Sequence, residues 1–127
     1  MSWFTKLRHA MPGSLDDTTW RNALARQLDA IEAELRRIGW WQATPLSPEQ
    51  MQFTQAFGAD TMAFSQWLQF VFVPNAREAV AGKRPLPRRS MVGAQAVREF
   101  DGVEEAEQLC SLLSSFDVAI EGRKLPP

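Results

Sequence analysis

The side chains able to do chemistry in this chain are few and scattered. Asp60 lies among bulky apolar neighbours in Phe57-Gly-Ala-Asp-Thr-Met62, where burial would raise a carboxyl pKa and suit it to proton transfer. The same Asp-Thr pair directly precedes an apolar run, which favours a structural role as a helix cap accepting backbone amides. No second polar reactive group stands near Asp60 to complete an acid/base pair. His9 is the only histidine and Cys110 the only cysteine, so no metal site can be assembled from them. Cys110 sits beside Leu109 and reads as a small core residue, since a nucleophile needs a base and none is identifiable. Gly82-Lys83-Arg84 lacks the leading glycine spacing and the Ser/Thr of a phosphate-binding loop, and no Gly-x-Gly-x-x-Gly occurs, which argues against nucleotide hydrolysis. These residues assign no catalytic, cofactor-binding or metal-binding position, and the chain is not expected to be an enzyme.

Two segments are better suited to recognition. Trp40-Trp41 follows the first helical stretch, and adjacent indoles cannot easily both point inward, so one is a candidate interface anchor. The alternative is that one fills the core and the other covers its edge. Lys83, Arg84, Arg88 and Arg89 cluster around Pro85-Leu-Pro87, whereas residues 99–122 carry seven acidic residues and no basic one. The favoured reading of this asymmetry is a solvated loop attracted to a solvated helix face. The functional reading is a loop touching tRNA phosphate or an acidic partner. Four cations without an accompanying motif bind RNA weakly and in a salt-dependent manner.

The elements that position these residues follow from the apolar spacing. Trp20, Leu24, Leu28, Ile31, Leu35 and Ile38 recur at helical steps, predicting a helix over residues 18–38 with one stripe facing a core. Ser14-Leu-Asp-Asp17 offers its caps, and Gly39 its left-handed stop. Ser47-Pro-Glu-Gln50 has the form of a capping box and predicts a short helix to about residue 57. Residues 70–73 have strand-like types, but the longer context, with Phe64, Trp67, Leu68 and Val71 on one face, favours a central helix over 61–81. Asp60 or Thr61 would cap it, and Pro74 would kink or restart it. Apolar residues on its other faces predict that it is surrounded. Gln69 on this helix is expected to hydrogen-bond a neighbouring backbone group. The prolines make residues 83–93 a loop, a short helix is expected over 94–100, and Asp101-Gly-Val-Glu104 forms a second capping-box pattern. Leu109, Leu113, Phe116 and Ile120, flanked by Leu112, mark the last helix.

Length and composition set the outer bounds. A chain of 127 residues, 45% of them hydrophobic, supports one core and is too short for two ordinary domains. The expected organisation is an N-terminal extension over 1–16, a helical domain over 17–122 and a tail over 123–127. The fold class is all-α: a bundle of about four main helices with a proline kink in the central segment. Tyr is absent, which excludes a tyrosine hydroxyl from any mechanism, and a formal charge of −1 gives no global basic field for nucleic acid. A lone cysteine and an N-terminus without a long apolar stretch predict a cytoplasmic protein, and no run approaches the ~20 residues that span a bilayer.

An apolar position before Asp60-Thr61-Met62, then Phe64, Trp67-Leu68-Gln69, an apolar run to Pro74, and Leu86-Pro87 after a basic turn together resemble the YqcC-like family of small bacterial proteins. The resemblance extends over roughly residues 18–121. Where the family pattern often has a basic residue after the proline, this chain has Asn75-Ala76. The resemblance implies a helical fold with no established active site, and an association with a tRNA pseudouridine synthase that does the chemistry. It makes Asp60, Thr61, Met62, Trp67, Leu68, Gln69, Pro74 and Pro87 structural positions of the motif. The leading expectation is therefore a non-catalytic accessory protein that assists such a synthase, with weak or indirect tRNA contact. The alternatives are a direct RNA-binding module using the basic proline loop and an enzyme using Asp60 in a groove.

Overall fold

The computed structural model describes residues 15–127, and every regular element among them is helical. Helix α1 spans Asp17–Arg37 and starts as its sequence dictates: the Asp16 carboxylate accepts the Thr19 amide at 2.8 Å and its hydroxyl at 2.9 Å. Ser14, the other cap candidate, and His9 lie outside the described residues. The helix closes at Gly39, whose φ of 79° is the left-handed conformation a glycine adopts without strain. The apolar stripe faces inward as expected, with Leu24, Leu28, Ile31 and Leu35 fully buried.

The central helix, α2, runs over residues 64–80 and is irregular where the sequence forces it to be. A turn of α-helix, Phe64–Trp67, passes into a π turn, Leu68–Phe72, and then into α-helix again, Val73–Val80. Pro74 has no amide to donate, and its ring would crowd the carbonyl four residues back in a regular helix. The wider turn, in which the Val73 amide bonds the Leu68 carbonyl, lets the helix continue through the proline. The irregularity expected at Pro74 therefore takes the form of a π turn in an unbroken helix.

This turn also re-registers the faces. A five-residue step brings Leu68 and Val73 to the core side, 0% and 2% exposed; Leu68 is buried as expected, whereas Val73 takes the place expected of Trp67 and Val71. Trp67 and Val71 are half-buried, and the face carrying them is open rather than surrounded.

Helix α3, Val92–Glu99, starts two residues earlier than the sequence suggests, and helix α4, Glu107–Gly122, follows a single 3-10 turn, Glu104–Ala106. The Asp101/Glu104 box does not form. The residue at the cap position is Val103, which has no acceptor to offer, so no side chain caps this start. α4 buries Leu109, Leu113, Phe116 and Ile120 and packs against both α1 and α3, while α1 also packs on α2. Polar ties fix these contacts. Trp20 donates its indole N–H to the Ala119 carbonyl at 3.1 Å, and Gln27 donates to the Leu112 carbonyl at 2.8 Å. Arg21 reaches the Ala79 and Val80 carbonyls at the end of α2, and Arg77 pairs with Asp29 and Glu32 across the α1–α2 seam.

One carboxylate that reads in sequence as part of a solvated acidic face is structural. Asp117 of α4 accepts the Ser90 hydroxyl at 2.5 Å and the Gly93 and Ala94 amides at 2.8 and 3.3 Å. It thus caps α3 from a neighbouring helix. Burial pushes its pKa above the ordinary value of 3.8, outweighing those hydrogen bonds. A raised folded pKa means that its stabilising contribution is full below pH 3.8 and declines as pH rises through the folded value. Asp117→Ala is expected to cost about 1–2 kcal/mol, the scale of a lost cap. Asp117→Asn, which cannot ionise, is expected to narrow its deficit against the wild type as pH rises, read from urea midpoints across the acid range.

Candidate interaction surfaces

The open face of α2 and the proline loop enclose an apolar groove of about 290 Å³. Trp67, Val71 and Phe72 form one wall, Leu86 and Pro87 the other, and Phe116 and Ile120 lie at the base. The aromatic side chains are engaged with one another. Trp67 stacks on Phe72 with ring centres 5.9 Å apart, and Phe72 meets Phe116 edge-on at 5.3 Å. Phe57, at another side of the groove, has a φ of 59°, a strained value for a bulky residue. Edge contacts to Phe64 and Trp67, at 5.7 and 5.0 Å, hold it there. Met91 stands at the rim, 62% exposed. The sequence offered the components of this groove but read them as a core surrounded on all sides.

The basic loop forms the groove's outer wall. Arg84 lines it and pairs with Glu78 at 2.8 Å, both side chains being well exposed. Arg89 lies 3.9 Å from Glu121, the one ion pair among the described residues that links the loop to the acidic last helix. Lys83 and Arg88 are exposed. Across the loop from the groove, Leu86, Pro87 and Arg88 line a second, more polar cleft beside Trp20, Arg21 and Arg123, so the Leu86-Pro87 segment stands as a ridge between two depressions. The Arg89–Glu121 contact is long and exposed at both ends, so it ties the loop to the last helix only weakly, and most of the loop's charge faces outward.

Trp40 and Trp41 are both half-buried. The Trp40 ring lies 4.8 Å from that of Phe100, and the Arg36 guanidinium sits 4.7 Å over Trp41. Neither indole fills the core. The recess beside Trp40, formed with Gln42, Ala63 and Gln66, shares no wall with the groove, so the structure keeps the two candidate surfaces apart.

Asp60 is a cap, but not of the central helix. It accepts the Thr54 amide and hydroxyl, each at 3.0 Å, and the Gln55 amide at 3.3 Å, closing the turn that precedes it. Thr61 likewise turns back, donating to the Gln50 carbonyl at 2.6 Å. The helix begins at Phe64, too far on for either side chain to reach, and the Gln66 side chain instead accepts the Ala63 amide. The Thr54 amide holds the Asp60 carboxyl below its usual range. That is the opposite of what a general acid requires at neutral pH. Its contribution to the turn is present above the ordinary pKa of 3.8 and is lost as pH falls through the lower folded value. Asp60→Ala is expected to accelerate hydrogen exchange at the Thr54 and Gln55 amides while leaving α1 and α4 protected, which site-resolved exchange would show.

The segment between α1 and α2 holds 3-10 turns, Gln50–Gln52 and Ala56–Gly58, where the sequence predicted one short helix. The Ser47/Gln50 box is present, with the Gln50 amide donating to the Ser47 hydroxyl and the Ser47 amide to Gln50 Oε1, each at 3.2 Å. The left-handed Phe57 and the Asp60 turn prevent that start from propagating. Gln69, buried on α2, accepts the Gln42 amide at 2.9 Å and donates to the Gln42 carbonyl at 2.8 Å, the backbone role expected of it. Cys110 is half-buried, and burial raises its thiol pKa, away from thiolate reactivity. Among the described residues no helix is long and apolar enough to cross a membrane, and no group of His, Cys, Asp and Glu is arranged to hold a metal ion.

A family model described as tRNA pseudouridine synthase C matches residues 23–119, well over half of the chain. The chain belongs to this family, DUF446. Its resemblance to YqcC-like proteins holds at the level of individual relatives. A protein of Escherichia coli K12 described as uncharacterised protein YqcC is 38% identical over 69 residues, 54% of this chain and 63% of the relative. The similarity to that protein thus spans under two thirds of its length. An uncharacterised protein of Haemophilus influenzae is 25% identical over 88 residues, 67% of this chain and 83% of that protein. A third relative, from Pectobacterium carotovorum subsp. carotovorum, is described as tRNA pseudouridine synthase C. It is 36% identical over 67 residues, which make up 53% of this chain and only 18% of the synthase. No solved structure matches.

Proposed function

We propose that this protein is a non-catalytic accessory that assists a tRNA pseudouridine synthase in tRNA modification in the cytoplasm. The observation carrying this reading is the last similarity: half of this chain resembles less than a fifth of a protein described as tRNA pseudouridine synthase C. A segment that resembles part of a protein described as a synthase in one organism and most of an uncharacterised protein in another is suited to working beside that enzyme in both. On this reading the reaction belongs to the larger part of the synthase that this chain does not resemble. The state of the candidate reactive groups is in keeping with it, because Asp60 is tied up as an acceptor and Cys110 is held as a thiol.

The test is genetic and chemical together. Deleting the gene should lower pseudouridine at the synthase's tRNA position, and tagged protein should recover the synthase from extract after nuclease treatment. Normal pseudouridine levels and no recovered synthase would refute the proposal.

A second reading, direct tRNA binding, is favoured by the exposed Lys83 and Arg88, which make no ion pair among the described residues. It predicts that the isolated protein binds tRNA with affinity falling linearly in log salt, and that neutralising Arg88 and Arg89 abolishes this binding.

A further inference from the structure

We infer that the groove between α2 and the proline loop is filled by this chain's own residues 1–14, laid in as an amphipathic helix through Trp3, Phe4, Leu7 and Met11. This goes beyond the accessory reading, which stands or falls separately. The groove is apolar and nearly neutral. Arg84, the one charged residue lining it among those described, is already paired with Glu78. Charge therefore selects no partner, and the occupant is set by apolar pattern and by access.

The pattern lies just upstream of α1. Trp3, Phe4, Leu7 and Met11 fall on a helical stripe about 100° wide, and Ser2, Thr5, Lys6, Arg8 and His9 take the opposite side. A stripe of this kind is what a helix lays into a hydrophobic groove. Pro12-Gly13 then supplies a break, so the stripe need not continue the axis of α1.

Access favours this segment over a free molecule. The start of α1 stands beside the ridge that bounds the groove. Asp17 pairs with Arg123 at 2.7 Å, and Trp20 and Arg123 line the polar cleft together with Leu86, Pro87 and Ile120. Those last three residues also line the groove. Residues 1–14 reach up to roughly 45 Å when extended, so the segment can cross the ridge from the cleft into the groove. Tethering gives it an effective concentration of roughly millimolar, at which modest apolar contact suffices to seat it. Met91, 62% exposed at the rim, is unbranched and can adapt to an apolar side chain entering there.

The experiment is a nuclear Overhauser measurement on the isotope-labelled full chain, alone in solution. Cross-peaks are expected from the Trp3 indole and the Leu7 methyls to the methyls of Val71 and Leu86. Two variants are compared: Leu7→Asp, which puts a carboxylate in the middle of the stripe, and Ala76→Glu, which puts one on the α2 wall. Each should abolish the Trp3 cross-peaks to Val71 and Leu86. Leu7 precedes the described helices, so its variant decides the matter even where Ala76→Glu fails to fold. Absence of the cross-peaks in the wild type, or their persistence from Trp3 in Leu7→Asp, would overturn the inference. Cross-peaks between labelled and unlabelled chains in a mixed sample would give the groove to a second copy. Val71 and Leu86 methyls that respond only to added synthase, or only to added tRNA, would give it to that partner. Either result overturns the inference, and none of them bears on whether the chain assists a synthase through another surface.

Discussion

Gly93→Ala should destabilise the protein by about 3 kcal/mol, the upper end for overpacking, even though it places a better helix former in α3. Helix propensity alone predicts the opposite sign, a gain of about 0.5–1 kcal/mol. The contact decides otherwise. A Cβ at this position would stand 2.5 Å from both Cα and N of Ser114 and 2.8 Å from the Leu113 carbonyl carbon. All three are backbone atoms of α4, so no rotamer change relieves the clash. Either α3 or α4 must shift, and α3 is held there by the Asp117 carboxylate accepting the Gly93 and Ala94 amides. A shift would also displace Val92, which lines the groove. Chemical denaturation monitored by tryptophan fluorescence measures the effect. A variant as stable as the wild type would mean that α3 and α4 do not cross backbone to backbone at this point.

Trp20→Ala should cost about 3–5 kcal/mol, as large-to-small changes at fully packed positions do. The indole is 3% exposed, donates to the Ala119 carbonyl and lies under the Arg123 guanidinium at 4.7 Å. Arg123 is paired with Asp17 at 2.7 Å, so the ring locks the start of α1 to the end of α4. Trp20→Phe separates the contributions. It keeps part of the apolar contact, removes the N–H donor and leaves a smaller cavity than alanine does, and Ala119 still accepts the Lys124 amide. The loss should therefore exceed the roughly 1 kcal/mol of a single hydrogen bond but stay below that of the alanine variant. Equal losses for Ala and Phe would contradict this packing account.

Those two positions mark the limits of what the sequence discloses. Trp20 was legible, because it opens a stripe whose 3.6-residue period needs no knowledge of its partners. The stop at Gly39 and the Ser47/Gln50 box were legible for the same reason, being local chemistry. Gly93 was not, since its requirement arises where two helices cross, and in sequence it belongs to a proline-rich loop. Asp117 resembles any solvent-facing acid on an amphipathic helix until α3 is placed over it.

The central helix shows a subtler failure. Its helical character is legible from context against strand-like residue types, but an unbroken 3.6-residue period does not give its buried face. The π turn before Pro74 makes the step from buried Leu68 to the next buried apolar residue five rather than three or four, so Val73 is buried and Val71, expected there, is only half-buried. The groove exists because of that slip: Trp67, Val71 and Phe72 are left on a face that the proline loop covers only in part. Asp60 and Thr61 hydrogen-bond backbone groups, as their types predict, but in the preceding turn rather than in the helix, which begins beyond their reach.

The accessory reading is tested most directly by calorimetric titration of the purified full chain with the purified tRNA pseudouridine synthase of the same organism, with no RNA present. The account predicts saturable binding at a defined stoichiometry that persists at physiological salt. Absence of heat and of complex by size exclusion, together with tight, salt-sensitive tRNA binding by the chain alone that requires Arg88 and Arg89, would contradict it.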